Sequence, residues 1–313
     1  MNKVIEVKGL KKAYGSLKAV KGIDFYVEQG SLFAFLGKNG AGKSTTIDIM
    51  STQLAFDSGE VMINELRIGK DNEKIRSEIG IVFQDSVLDP LLTVSENLEI
   101  RGSFYGLTKK ELKAAIKQAT QVVGINDLLK RPYGKLSGGQ RRRTDIARAL
   151  IHTPKILFLD EPTTGLDPQT RKRVWETIRN LQKETGMTVF LTTHYMEEAA
   201  QADYITIIGE GEIKAKGTPL ELKERYSKDI LKVKPRDEQR LISTLQSMNL
   251  SFSKHQEFFQ IPLESTLDAI PIVEVLKDNL LNLEILNGTM DDVFINSTQK
   301  EEWDDVYHSK TKY

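Results

Sequence analysis

Gly37-Lys38-Asn39-Gly40-Ala41-Gly42-Lys43-Ser44 fits the G-x-x-x-x-G-K-[ST] pattern of phosphate-binding loops without a gap. The apolar run at residues 31–36 predicts a buried strand before it, and residues 45–50 predict a helix after it. In that setting the glycines let successive backbone N–H groups point at phosphate oxygens. Lys43 can reach the β- and γ-phosphates, and the Ser44 hydroxyl can bind Mg²⁺. The flanking strand and helix disfavour the alternative, a glycine-rich turn that binds nothing.

A second apolar run, Ile156-Leu157-Phe158-Leu159-Asp160-Glu161, ends in two carboxylates. Pro154 before it and Pro162 after it are typical of a short, buried parallel strand. Neighbours on a strand point to opposite faces, so the two acids need different roles. Asp160 suits the Mg²⁺ shell, and Glu161 suits the attacking water, as general base or orienter. An isolated Asp-Glu pair would more often be a solvated turn, which is improbable beside a phosphate loop.

Length and composition are those of an ordinary globular chain. The 313 residues allow one large and one small domain, and the formal net charge is zero, so nothing indicates a nucleic-acid partner. Cysteine is absent, which excludes disulfides and thiolate metal sites. No apolar run approaches the roughly 18 residues of a membrane span, and residues 1–8 alternate like a charged strand rather than a signal peptide.

The chain resembles the ATP-binding subunits of ABC transporters over about residues 3–225. Leu136-Ser137-Gly138-Gly139-Gln140 resembles the signature sequence of that family, and residues 159–168 resemble its second nucleotide motif with the D-loop. Gln84 resembles the Q-loop glutamine and His194 the switch histidine. Tyr14 falls where the family stacks an aromatic ring on adenine, although a tyrosine before a glycine is otherwise usually a turn or half-buried residue.

The resemblance implies an α/β fold: a P-loop NTPase of the ABC cassette type, with a RecA-like core and an antiparallel β subdomain. A helical subdomain is expected at about residues 85–140. The implied cofactors are ATP and Mg²⁺. The implied partners are separate transmembrane permease subunits, at the cytoplasmic face of the membrane, and a second copy or another ATP-binding subunit. In such a dimer, ATP lies at the interface, and Ser137 faces the γ-phosphate held by the other subunit.

The predicted site has catalytic, nucleotide-binding and metal-binding members. The catalytic candidates are Lys43, Gln84, Glu161 and His194. The nucleotide-binding candidates are Tyr14, Gly37, Asn39, Gly40, Ala41, Gly42, Lys43, Ser44, Thr45, Gln84, Ser137, Gly139, Asp160 and Asp167. The metal-binding candidates are Ser44, Gln84 and Asp160.

Subgroup patterns at Leu88-Asp89-Pro90 and Phe104-Tyr105-Gly106 look most like drug, antibiotic and ion exporters. The expected function is therefore ATP hydrolysis that powers a separate membrane exporter. The alternative is a soluble ABC-type ATPase of translation or DNA maintenance. Translation factors of this type usually carry two cassettes in one chain, and DNA-maintenance relatives insert long coiled coils between the phosphate loop and the signature. A non-enzymatic scaffold would not need Lys43, Asp160 and Glu161 together.

The basic triplet Arg141-Arg142-Arg143 opens the predicted helix after the signature. A triplet of this kind can indicate nucleic acid or anionic lipid. A solvated helical face, with charge pairing through Asp145, is the preferred interpretation.

Residues 226–313 are predicted to form a small α+β accessory domain. The pattern indicates the order β-α-β-β-α-β, which is typical of a ferredoxin-like unit. Thr289-Met290-Asp291-Asp292-Val293-Phe294 resembles a C-terminal motif of the exporter subgroup, so a role in assembly or regulation is expected. The alternative is a capped helix whose Val293 and Phe294 pack inside the unit.

Overall fold

The computed structural model describes residues 2–298, which fall into two compact units, Met1–Thr218 and Pro219–Tyr313. The second unit begins at a helix, Pro219–Tyr226, rather than after the expected boundary at Arg225. This helix belongs to the second unit because it packs on the helix Met290–Thr298. Residues 299–313 of the predicted accessory domain lie outside the described part of the chain. Within residues 2–298, no helix combines the length and apolarity that crossing a bilayer requires.

The first unit alternates strands and helices. Its strands are β1 (Lys3–Tyr14), β2 (Leu17–Glu28), β3 (Leu32–Leu36), β4 (Ser58–Ile63), β5 (Leu66–Arg67), β6 (Ile79–Val82), β7 (Ile156–Asp160), β8 (Thr188–Thr193), β9 (Tyr204–Gly209) and β10 (Glu212–Gly217). Its α-helices are α1 (Lys43–Met50), α2 (Asn72–Glu78), α3 (Val94–Gly102), α4 (Lys109–Val122), α5 (Gly138–Leu150), α6 (Pro168–Thr185) and α7 (Met196–Ala199).

A six-stranded sheet in the order β10-β9-β3-β8-β7-β6 forms the core of the first unit. All neighbours except β10 and β9 run parallel. Strands β3, β7 and β8 are buried along their whole length, which explains their nearly unbroken apolar sequences. Ligands of such sheets bind beyond the carboxyl ends of the strands, where β3 leads into the phosphate loop and β7 ends at Asp160.

An antiparallel sheet, β2-β1-β4-β5, packs its apolar residues into the same core. Aromatic rings connect the layers: Phe25 of β2 stacks on Phe33 of β3, and Phe33 stacks on Phe190 of β8 at 5.2 Å between ring centroids. This packing fixes β1 and places Tyr14, its last residue, above the phosphate loop.

The helical subdomain contains α3 and α4 and leads into α5. Each of the three helices begins with a capping box, at Thr93, Thr108 and Ser137 respectively. In each box the side-chain oxygen of the cap residue accepts a hydrogen bond from a backbone N–H of the first turn. The side chain of the Glu or Gln three residues later accepts a hydrogen bond from the backbone N–H of the cap residue. The signature Ser137 therefore defines where α5 begins.

The second unit contains a four-stranded antiparallel sheet in the order β12-β13-β11-β14. Its elements are α8 (Pro219–Tyr226), β11 (Asp229–Pro235), α9 (Glu238–Ser247), β12 (Ser253–His255), β13 (Phe258–Leu263), α10 (Ala269–Leu276), β14 (Leu280–Leu286) and α11 (Met290–Thr298). From β11 to β14 the order is β-α-β-β-α-β. Val293 and Phe294 of α11 are buried, which favours internal packing of this motif over an exposed contact.

Candidate nucleotide-binding site

Three positions of the phosphate loop favour glycine for different structural reasons. A Cβ on Gly37 would lie 2.6 Å from the carbonyl oxygen of Ile208, and one on Gly42 would lie 2.5 Å from that of Ala19. Gly42 also has a φ of 106°. Gly40 has a φ of 81° and nothing within 4 Å of its Cβ position, so its backbone faces open space. The first two glycines permit close packing, whereas Gly40 leaves room for a ligand to approach the backbone.

Lys43 lies at the centre of the site and is almost fully buried. Its Nζ donates to the carbonyl oxygens of Gly37 at 2.9 Å and Lys38 at 3.1 Å, and lies 3.1 Å from Oε1 of Glu161. The ammonium is therefore held where the strand, the loop and the acidic end of β7 meet. A fixed cation in this position can neutralise phosphate oxygens bound by the loop.

Asp160 is held by the neighbouring strand β8. Thr192 lies beside it in register, and its Oγ1 donates to Oδ1 of Asp160. Burial raises the pKa of Asp160, and the hydrogen bonds from Thr192 and Ser44 only partly oppose that shift. The Ser44 hydroxyl and the Asp160 carboxylate are thus adjacent oxygen groups at the edge of the phosphate loop. Hard oxygen donors of this kind fit Mg²⁺, which binds through few protein groups plus substrate phosphates.

Glu161 occupies an unusual backbone conformation. Its φ is +42°, a value that costs free energy for a residue with a Cβ. Its N–H donates to Thr192 Oγ1 at 3.0 Å, and its Oε2 accepts from Thr164 Oγ1 at 3.1 Å. Burial acts to raise the pKa of Glu161, but the hydrogen bond and charge of Lys43 outweigh it and hold that pKa below its ordinary value. His194 Nδ1 lies 3.2 Å from Oε2, so the switch histidine and the acid are adjacent.

A pocket next to the phosphate loop brings most of the predicted residues together. Its lining includes Asn39, Gly40, Gly42, Lys43, Ser44, Thr45, Gln84, Glu161 and Tyr14. Tyr14 is 48% exposed, and the Nζ of Lys12 lies over its ring, 5.6 Å from the ring centroid. Gln84 reaches the pocket from the segment that follows β6.

Ser137, Gly139 and Asp167 do not line this pocket within the same chain. Ser137 caps α5 and Asp167 caps α6, where its side chain accepts from the N–H of Thr170 at 3.0 Å. A Cβ on Gly139 would lie 2.3 Å from Cγ2 of Thr170, so α5 and α6 approach closely at this point. Gly139, a nucleotide-binding candidate in the sequence, is therefore also required for the packing of these two helices.

The expectation of a solvated face with charge pairing is wrong for Arg142 and Asp145, which are both buried. The guanidinium of Arg142 donates to the carbonyl oxygens of Asp160 at 2.8 Å and Pro162 at 2.6 Å, and to that of Phe83. The reason is helical periodicity, because positions 142, 145, 146 and 149 form the face that α5 turns inward. The middle arginine thus joins the signature helix to the second nucleotide motif and to the residue before Gln84.

Asp145 has polar partners rather than an arginine pair. Ser86 Oγ donates to Oδ1 at 2.6 Å, and the Tyr133 hydroxyl lies 3.1 Å from Oδ2. Burial raises the pKa of Asp145 despite these bonds and the nearby charge of Arg142. Because Ser86 comes two residues after Gln84, this cluster ties the Q-loop segment to the signature helix.

Glu198, which sequence reasoning missed, is 2% exposed and connects three segments. Its carboxylate accepts from Thr193 Oγ1 at 2.6 Å and from Thr163 Oγ1, and Arg171 Nε lies 3.9 Å away. These contacts hold the residues before His194 against the segment after Glu161. The sequence signal was an acid on the inner side of a short helix, which pattern alone cannot distinguish from a solvated one.

A strand–loop–helix phosphate cradle, a buried lysine, adjacent Ser and Asp oxygens and a capped signature helix together define an ATPase of the ATP-binding cassette class. The comparisons agree. The family model described as ABC transporter matches residues 20–164. The linearmycin resistance ATP-binding protein of Bacillus subtilis is 37% identical over 306 residues, covering 94% of this chain and 98% of that protein. The chain belongs to the ABC transporter family and is an ATP-binding, ATP-hydrolysing subunit.

Solved structures of ATP-binding cassettes share the fold. The protein cbiO1 of Clostridium perfringens, part of the ABC transporter complex cbiONQ, superposes with a TM-score of 0.67 at 30% identity, covering 79% of this chain and 96% of that chain. A dimeric ATP-binding cassette bound to ADP and phosphate in a post-hydrolysis state gives a TM-score of 0.62 at 28% identity, covering 69% of this chain and 98% of that chain.

Proposed function

We propose that the chain powers the export of an antibiotic-like compound through separate membrane-spanning subunits, to which it binds at the cytoplasmic face. The observation that carries the ATPase mechanism is the placement of Glu161 between Lys43 and His194 at the phosphate loop. The kind of cargo rests on the resistance relative, since no described residue reports on it. The same relative favours transport over the alternative functions in translation or DNA maintenance.

The residues divide the reaction between them. The loop N–H groups and Lys43 bind the β- and γ-phosphates, and Tyr14 stacks on adenine. Ser44, Asp160 and Gln84 hold Mg²⁺, which neutralises phosphate charge when bound. Glu161, kept ionised by its lowered pKa, accepts a hydrogen bond from the attacking water and aligns it with the γ-phosphate.

ATP is shared between two cassettes in this proposal. Ser137 and Gly139 lie at the N-terminus of α5 but outside the pocket of their own chain, so their N–H and hydroxyl groups can serve a phosphate bound by a second cassette. Asp167, at the cap of α6, lies in the segment that would meet the other subunit. The dimeric relative with ADP and phosphate supports this arrangement.

A groove on the helical subdomain is the proposed docking site for the membrane subunit. It is lined by the five residues 86–90 and by Leu92, Asn97, Ile100, Arg101 and Phe104. Two of its apolar side chains are exposed, Phe104 at 74% and Ile100 at 48%. Apolar residues exposed together around a groove mark interaction sites. The groove begins two residues after Gln84, so a bound subunit can sense the nucleotide through the Q-loop.

The catalytic assignment is tested by Glu161→Gln and Lys43→Ala, with Glu197→Gln as the matched control on the exposed side of α7. Glu161→Gln should keep ATP affinity and lower turnover by about 10²–10⁴-fold, because the neutral amide keeps the size of the side chain but cannot take a proton from the attacking water. Lys43→Ala should weaken ATP binding as well. Nucleotide titration and phosphate release measure both. Near-normal hydrolysis by Glu161→Gln, with Glu197→Gln also normal, would remove Glu161 from the mechanism.

The shared site is tested by mixing two inactive chains, Ser137→Arg and Lys43→Ala. Heterodimers then have one site without either substitution and one site with both, so mixing should restore hydrolysis that neither chain shows alone. Activity of Ser137→Arg alone equal to the unmodified protein would contradict sharing. Light scattering of Glu161→Gln should also give dimers with ATP and monomers with ADP.

The docking groove is tested by Phe104→Ala, with Leu267→Ala of the second unit as control because that side chain is 69% exposed. Phe104→Ala should reduce co-purification with the membrane subunit and leave ATP hydrolysis by the isolated chain unchanged. Equal recovery of both variants with the membrane subunit would exclude this groove as the contact.

A further inference from the structure

The last strand of the second unit has an unpaired edge. Among the described residues, β14 pairs only with β11, so the N–H and C=O groups of its other edge have no strand partner. Six of its seven residues, from Leu281 to Leu286, are exposed. An exposed apolar edge of this length is a template for another strand, which proteins normally shield with charges, proline or a covering element.

The side chains of β14 separate into two faces. Leu283 lies opposite Val233 and Ile285 opposite Leu231, both core residues, so these apolar side chains share the helix-covered face of the sheet. The register with β11 shifts between Asn282 and Leu280 and leaves Leu281 without an opposed residue, but alternation from Leu283 places Leu281 on the same face. In the stripe formed by Leu281, Leu283 and Ile285, the residues are nevertheless 55%, 41% and 42% exposed, respectively. On the other face, Glu284 pairs with Lys232 at 3.2 Å.

We propose that β14 pairs with β14 of a second copy of this chain, antiparallel and with the two-fold axis at Leu283. In this register Leu281 meets the Ile285 position of the other strand, and Leu283 meets its own counterpart. The apolar stripes join into one. Glu284 lies opposite an Asn282 position, so no two like charges face each other. The contact is isologous and closes as a dimer.

Neighbouring registers are less favourable for physical reasons. Residues that lie opposite each other in the two strands must have their side chains on the same face of the sheet. The two-fold axis can therefore move only by whole residues, and each such move shifts the pairing by two residues. An axis at Glu284 would place two carboxylates directly opposite. An axis at Asn282 would leave Ile285 and Leu286 of each strand without apolar partners. The sequence of β14 therefore selects the axis at Leu283.

Cysteine cross-linking tests this register directly. The chain has no cysteine, so an introduced cysteine is the only thiol in each copy. Across an antiparallel pair, opposed Cα atoms are about 4.5–5.5 Å apart, within disulfide reach. Leu283→Cys should thus cross-link to itself under mild oxidation. Leu281→Cys alone should not, since its two copies would be four residues out of register, about 13 Å apart. A mixture of Leu281→Cys and Ile285→Cys chains should cross-link.

The experiment uses the full chain with the additional substitution Lys43→Ala and without nucleotide, so it does not depend on the ATP-bridged dimer proposed above. Leu267→Cys, exposed on the same unit outside β14, gives the background of random collision. A chain ending at Thr298 tests whether the remaining residues take part; it should cross-link equally well. Failure of Leu283→Cys to exceed the Leu267→Cys background, or equal cross-linking at Leu281→Cys alone, would overturn the proposal.

Discussion

Replacing Thr192 with valine tests the contact that holds both acids of the candidate site. Thr192 is completely buried on β8, and its single hydroxyl makes two bonds. It donates to the carboxylate of Asp160 and accepts the backbone N–H of Glu161 at 3.0 Å. Valine has nearly the same shape, so Thr192→Val removes both bonds while it retains the packing.

The expected cost follows from those two bonds. A hydrogen bond to a charged group contributes about 1.5–3 kcal/mol, and a buried N–H without an acceptor costs about 1–3 kcal/mol. Together they predict a loss of about 2.5–6 kcal/mol, which lowers Tm by about 5–24 °C for a unit of this size. ATP turnover should also fall, by up to about 10²-fold, because the strained backbone of Glu161 loses an anchor and the acid shifts.

Thr206→Val is the matched control. Thr206 lies on β9 of the same sheet and is equally buried, but its hydroxyl has no hydrogen-bond partner among the described residues. The same substitution should therefore leave Tm unchanged or raise it, because an unsatisfied polar atom is removed. Thermal unfolding followed by circular dichroism, with phosphate release as the activity assay, measures both variants. Tm values within about 2 °C of each other would refute the role assigned to the Thr192 hydroxyl.

Three further predictions use residues of α5. Arg142→Met should lower the free energy of unfolding by about 2–5 kcal/mol in urea titrations, because three carbonyl oxygens lose their donor; unchanged stability would contradict this. Burial raises the pKa of Asp145, so the folded state disfavours the ionised carboxylate. The free energy of unfolding therefore falls as the pH rises from the ordinary pKa of 3.8 through the raised pKa. Asp145→Asn should therefore gain stability relative to the unmodified protein between about pH 4 and about pH 7, and an equal difference at both pH values would exclude the effect. Gly139→Ala should lower Tm by contact with Thr170, and adding Thr170→Ser, which removes the contacting methyl group, should restore part of it; no recovery in the double variant would place the strain elsewhere.

Local features of the site could be predicted from the sequence. The phosphate loop, the strand before it and the helix after it lie where the pattern indicated, because glycine spacing and apolar runs act over a few residues. The same holds for the strand that ends at Asp160 and for the cap at Ser137, whose partners lie three positions away. The family and the ATPase class followed from these motifs in their order along the chain.

Contacts between distant segments were decided by the tertiary structure alone. Thr192 reaches Asp160 only because β8 lies between β3 and β7, an order that no local pattern encodes. Arg142 looked like one of three solvated arginines, but the packing of α5 turns it toward the second nucleotide motif and Phe83. Glu198 likewise acquired its three partners from the packing of α7. Residue type and spacing determine which groups are available, whereas sheet order and helix packing determine which of them meet, because a hydrogen bond forms only at about 3 Å.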